Sequence, residues 1–184
     1  MLNLDAMNFT KEDIITIDNF LEFDDFNKTL DLLARPKWQW GHGSNPNNLE
    51  YSTPFWKMEL TEEQFFHDYI FNLIKKVTNE EYVLTRCYAN GHTYGSSGSF
   101  HTDWNDDSGR TALLYANDTW MQEWGGKTVF LVNGQCHYIE CIPNTLVIFP
   151  AIIPHRAEGT SRSFNGLRKT IAWKLTSVHP ERDA

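Results

Sequence analysis

The sequence predicts a mainly β fold with helices gathered toward the amino terminus, on three observations. Two segments before residue 80 carry apolar residues at helical spacing. After residue 81 the chain changes to short runs rich in β-branched and aromatic residues. Asn133-Gly134 separates two of these runs and is a strong signal for a two-residue type I′ hairpin. An antiparallel double sheet or barrel with helices packed on one face satisfies all three, and such folds often hold a ligand between their sheets.

Asp24 and Asp25 precede Phe26, Leu30 and Leu33, which predicts a short amphipathic helix capped by an acidic residue. Pro36 cannot continue it, so it ends near Arg35. Residues 35–54 are rich in Gly, Asn, Pro and Trp without periodicity and read as a long loop with room for one short strand. Thr61 and Gln64 form a capping-box signature ahead of Phe65, Phe66, Tyr69, Ile70, Leu73, Ile74 and Val77, the strongest helical pattern in the chain. Strands are expected over 82–89, 111–116, 127–132, 135–142, 145–149 and 169–176. The expected organisation is one domain over 1–184, with helical support over about 10–80 and a β core over about 81–178.

Composition narrows the function. A formal charge of −8 leaves no broad basic field, which argues against a surface that holds nucleic acid through its phosphates. Cys87, Cys136 and Cys141 are odd in number and lack C-x-x-C spacing, against a disulfide framework or a four-cysteine zinc site. No signal-peptide or membrane-span pattern is present, so the expectation is a soluble, cytoplasmic protein with no membrane partner.

Phe100-His101-Thr102-Asp103 reads as a strand end, and residues i and i+2 of a strand project from one face. An imidazole and a carboxylate would therefore point together. A third ligand from a distant strand completes the facial triad of non-haem Fe(II) oxygenases, and His155 is the best placed for it. His42, His92, His137 and His179 lack a carboxylate two residues on, and His67 lies on a helix; His137 reads as a surface strand residue and His92 as a loop residue near a cavity mouth. On the last strand Arg168, Thr170 and Ala172 share one face and Ile171 and Trp173 the other. The first face suits the lining of a ligand cavity where Arg168 grips a carboxylate by two charge-assisted hydrogen bonds, and the second suits packing against the helices. An arginine paired with a surface acid is the alternative at this position.

Taken in order, His101-x-Asp103, His155 and Arg168 resemble the pattern of 2-oxoglutarate- and Fe(II)-dependent oxygenases, and within them the prolyl 4-hydroxylase-like branch. Cys87-Tyr88 before a Gly-rich stretch, Tyr115-x-Asn117, Gly125-Gly126 before a strand, and Leu146 to Phe149 ahead of Pro154-His155 carry the resemblance over roughly residues 82–175. The interval from His155 to Arg168 is longer than the branch pattern, which expands the Glu158 to Gly166 loop, and Lys169 offers a neighbouring cation. The resemblance implies a double-stranded β-helix (jelly-roll, cupin-like) core, Fe(II) held by His101, Asp103 and His155, and 2-oxoglutarate as co-substrate. It further implies Arg168 on the distal carboxylate, Tyr115 donating to that carboxylate, Tyr88 and Tyr94 in the same pocket, and ascorbate as a reductant. Succinate and CO2 would be released as the substrate, a prolyl residue in a peptide or protein, is hydroxylated.

Other readings stay open. The same chemistry could act on a free amino acid, another small molecule or an alkylated base, and a cupin-like metal-binding protein without catalysis is the alternative of another class. Trp104, Trp120 and Trp124 could clamp a prolyl ring or pack on the barrel rim, and Arg110, Arg156 and Arg162 could meet substrate or be solvated loop residues.

Overall fold

A computed structural model describes residues 9–44 and 53–178. Part of the expected long loop, residues 45–52, and His179 lie outside the described residues. Ten strands within them form two sheets in which every strand pairing is antiparallel. They are β1 (Ile15–Ile17), β2 (Gln39–His42), β3 (Phe55–Glu59), β4 (Tyr82–His92) and β5 (Gly109–Tyr115), then β6 (Thr128–Val132), β7 (Gln135–Ile139), β8 (Leu146–Pro150), β9 (His155–Ala157) and β10 (Arg168–Ser177). The large sheet runs in the order β1-β8-β5-β10-β4-β3-β2, and the small one β7-β6-β9.

The helices do not all precede the strands, as the sequence pattern suggested. β1 comes before the first helix, α1 (Phe23–Leu33), and β2 and β3 lie between it and the second. Strands of three to five residues carry too few alternations for a period to be read. The α1 cap position is Glu22, which makes no side-chain cap bond; Asp24 and Asp25 sit in the first turn, where negative charge suits the exposed N–H groups. The expected Thr61 capping box does not form either. Thr61 Oγ1 bonds Glu59 and the Cys87 carbonyl, while a π-helical turn over Phe65–Ile70 leads into α2 (Phe71–Thr78). Tertiary partners for the threonine hydroxyl outweigh the local cap here.

Strand parity separates two cores. Ile171, Trp173 and Leu175 of β10 pack with Phe66, Ile70 and Ile74 beneath the helices, and the Trp173 indole N–H donates to the Phe66 carbonyl at 2.9 Å. Between the sheets, Tyr115, Phe130, Val147 and Phe149 make a second cluster. Asn133 and Gly134 turn β6 into β7 with φ of 51° and 73°, the positive values of the expected hairpin. This is a double-stranded β-helix with helices covering one face of the large sheet. No helix among the described residues is long and apolar enough to cross a membrane.

Candidate metal centre

His101 is not inside a continuous strand. A lone antiparallel bridge joins it to His155 at the start of β9: the His101 N–H donates to the His155 carbonyl at 3.1 Å, and the His101 carbonyl accepts from the His155 N–H at 2.9 Å. Asp103 is fixed two residues on by its N–H to the Ala151 carbonyl, so the extended geometry that aims both side chains one way survives. His101 Nε2 lies 3.6 Å from Asp103 Oδ1, and His155 Nε2 lies 3.2 Å from Asp103 Oδ2. One ligand atom from each of the three residues falls within 4.8 Å of the others.

The other ring nitrogens face backbone carbonyls: His101 Nδ1 is 2.9 Å from Ser99 O, and His155 Nδ1 is 2.9 Å from Ile153 O. A proton held there leaves each Nε2 lone pair directed at the centre, the outer support metal-binding histidines use. Burial, with the neighbouring His155, brings the His101 pKa down to about 4, so its imidazole is neutral near pH 7. Burial pushes the Asp103 carboxyl up, but Lys174 and the two histidines outweigh it and hold the group well below the usual carboxylate range. Two imidazoles with free Nε2 positions and one ionised carboxylate are a donor set that fits a divalent first-row metal.

These groups open on a cavity of about 470 Å³ between the sheets. Arg168, Thr170, Ala172 and Lys174 of β10 line it in strict alternation. Arg168 is 1% exposed; its Nε donates to the Gly126 carbonyl at 2.5 Å and its Nη2 to Thr128 Oγ1 at 3.2 Å. The Tyr115 hydroxyl donates to the same Thr128 oxygen at 2.7 Å, and its ring lies 5.5 Å from the guanidinium carbon. Tyr115 therefore stands behind Arg168, and Thr128 is the hydroxyl that lines the cavity. An oxygen that accepts two hydrogen bonds keeps its own proton for a ligand.

Tyr88 lines the cavity and hydrogen-bonds Lys174, whereas Tyr94 is half exposed beneath the Arg162 guanidinium and outside the lining. Trp104 borders the cavity; Trp120 and Trp124 meet each other edge-on and pack at tilted angles against Phe164, away from the cavity lining.

Two further lining residues take places the sequence reading did not assign them. Lys174 ion-pairs Asp103 and lies 3.4 Å from Thr111 Oγ1, which itself donates to Asp103 Oδ2 at 2.7 Å. Burial lowers the Lys174 pKa, yet Asp103 and Tyr88 outweigh it and keep the ammonium charged. Strand parity from Arg168 points to it, but a lone lysine reads as solvated by default. His92 is not a loop residue. It ends β4, buried, stacked on Phe55 at 4.4 Å, and burial together with Arg168 lowers its pKa to about 3.

No family model matches the sequence, and no curated protein does. Solved structures do match. The fold is that of known 2-oxoglutarate- and Fe(II)-dependent oxygenases. A Trichoplax adhaerens prolyl hydroxylase, solved in complex with a peptide fragment of the hypoxia inducible factor oxygen degradation domain, superposes with a TM-score of 0.68 at 17% identity, over 94% of this chain and 86% of that one. A Pseudomonas putida prolyl-4-hydroxylase gives 0.56 at 17% identity, over 96% and 100%. HygX from Streptomyces hygroscopicus, solved with nickel and 2-oxoglutarate bound, gives 0.62 at 11% identity, over 91% and 87%.

Proposed function

We propose that the chain is an Fe(II)- and 2-oxoglutarate-dependent dioxygenase. The observation that carries the reading is the combination in one cavity of the His101, Asp103 and His155 donors with a buried arginine, Arg168, that has no carboxylate of its own among the described residues. A cupin-like metal-binding protein without catalysis has no use for the second element. His101, Asp103 and His155 would hold the metal. Iron there would supply the activation of O2 that couples decarboxylation of 2-oxoglutarate, to succinate and CO2, with hydroxylation of a substrate.

The remaining work falls to the chain. Arg168 takes the distal carboxylate of 2-oxoglutarate with the N–H groups that Gly126 and Thr128 leave free, and Thr128 adds its hydroxyl proton. Tyr115 orients Thr128 from behind. Thr111 and Lys174 fix one oxygen of Asp103, while Phe130 and Phe149, with ring centroids 5.9 and 4.7 Å from that of His155, exclude water on that side.

For the substrate, a prolyl residue in a peptide or protein is supported by the ordered resemblance from Cys87-Tyr88 to Arg168, by the two prolyl hydroxylases of like fold and by Trp104 at the cavity. Succinate release measured against a panel of prolyl peptides and free amino acids tests the reading. Release should require Fe(II) and 2-oxoglutarate, proline should gain one oxygen by mass spectrometry, and His101→Ala should abolish both. Turnover of a non-prolyl compound alone would overturn the prolyl assignment and leave the oxygenase standing.

A further inference from the structure

Lys174 is seated on the carboxylate that a metal would need. Asp103 is the one acidic side chain lining the cavity among the described residues, and its side chain is 7% exposed, against 14% for the Lys174 side chain paired with it. The arginines around the cavity are engaged elsewhere. Arg86 Nη2 lies 3.2 Å from Glu59 Oε2, Arg110 donates to the Asp107 and Gly109 carbonyls, and Arg156 and Arg162 lie over the Phe100 and Tyr94 rings.

The pairing of the strands fixes Lys174 in this place. Register sets Lys174 of β10 opposite Thr111 of β5, so ammonium and hydroxyl reach Asp103 Oδ2 from adjacent strands. On its other side β10 meets a bulge: Lys174 lies opposite Arg86 and Leu175 opposite Leu84, which leaves Thr85 of β4 as the extra residue. Thr85 Oγ1 donates to the Lys174 carbonyl at 2.6 Å, so the bulge holds the backbone from which the lysine departs.

These contacts divide the carboxylate. Oδ2 carries Lys174 and Thr111, with His155 Nε2 at 3.2 Å, whereas Oδ1 faces His101 Nε2 at 3.6 Å. A divalent ion among the three donors therefore has a fixed positive charge for a neighbour, in a site where burial weakens screening. Removing one partner of a buried ion pair leaves the other in need of a countercharge. Both effects have one sign: the donors hold a cation less tightly with Lys174 present than without it.

Resting on the metal-binding half of the oxygenase reading, we propose that Lys174 is a resident counter-cation that competes with the divalent metal for Asp103. It satisfies the carboxylate before the metal arrives and lowers the affinity afterwards, so loading follows the metal supply and the ion stays exchangeable. Thr111, which bonds the same oxygen without carrying charge, orients Asp103 in both states.

Calorimetry with Mn(II), at fixed pH and salt and without 2-oxoglutarate, tests the sign. Lys174→Met should bind Mn(II) roughly tenfold or more tightly than the wild type. Its metal-free urea midpoint should fall, and Mn(II) should raise that midpoint by more than it does in the wild type. A lysine that only propped up Asp103 would give the reverse, weaker Mn(II) binding on its removal. Lys174→Arg, which keeps the charge, and Thr111→Val, which removes a neutral bond, should show no such gain. If Lys174→Met does not fold without metal, Lys174→Gln, which keeps an N–H for Asp103 and loses the charge, carries the same expected tightening. The proposal is overturned if neither neutral variant at Lys174 binds Mn(II) more tightly than the wild type, or if Lys174→Arg or Thr111→Val gains as much. Wild-type binding of Mn(II) and 2-oxoglutarate alongside such a result would leave the oxygenase reading standing; a wild-type chain that binds no divalent metal overturns both.

Discussion

At Asp103, several neighbours share two oxygens. Thr111 and Lys174 occupy Oδ2, which His155 also approaches, while Oδ1 faces His101. An incoming metal therefore meets a carboxylate already oriented and ionised, so little reorganisation is left for binding. Arg168 is preorganised in the same manner by Gly126 and Thr128. Replacing it with alanine should weaken 2-oxoglutarate roughly ten- to a hundredfold, from a charge-assisted pair of about 1.5 to 3 kcal/mol, with metal affinity retained. Unchanged co-substrate affinity in a titration of Arg168→Ala would move the role to Lys174, the other cation on that face of β10, since Lys169 lies outside the cavity. At this scale the cluster of His101, Asp103 and His155 was legible because His-x-Asp fixes a shared direction. Lys174 was not, since only the folded cavity tells a buried cation from a solvated one.

Among the elements, β10 was read most fully: its alternation separates Arg168, Thr170 and Ala172 from Ile171 and Trp173 in sequence and structure alike. The hairpin at Asn133-Gly134 was equally plain, because the positive φ of both residues is a local demand. The Thr61 cap was not, since a hydroxyl's choice between a local N–H and the distant Cys87 carbonyl depends on packing that no window of sequence contains. The entry to β6 depends on one glycine. Gly126 has φ of +75°, and a Cβ there would lie 3.0 Å from Arg168 Cδ and from Trp120 Cζ2. Gly126→Ala should cost about 1 to 2 kcal/mol in backbone strain alone and shift Arg168 off its carbonyl. Thermal denaturation and 2-oxoglutarate titration should both register it, and a variant with wild-type affinity would show that the carbonyl is not what aims Arg168.

For the molecule as a whole, the cavity makes folding sensitive to acid. His92 and His101 are buried neutral, with pKa values of about 3 and about 4 against 6.5 when unfolded. The unfolded chain binds more protons below 6.5, so their contribution is complete above that pH and is lost as pH falls toward 4 and then 3. Near pH 5 each should cost about 2 kcal/mol. Urea midpoints of the metal-free protein should fall accordingly between about pH 7.5 and 5, and His92→Gln should remove about half of the drop attributed to this pair. An equal drop in the variant would assign the sensitivity elsewhere. The wall between helices and cavity is one strand thick at β10, and this has a practical corollary. Because the Trp173 side is committed to the core and the Thr170 and Ala172 side to the cavity, the two sets of positions can be rewritten independently. Bulkier residues at Thr170 and Ala172 should reshape what the cavity admits while the helical layer goes on folding against an unaltered surface, which makes this strand the natural place to redirect the protein toward other ligands.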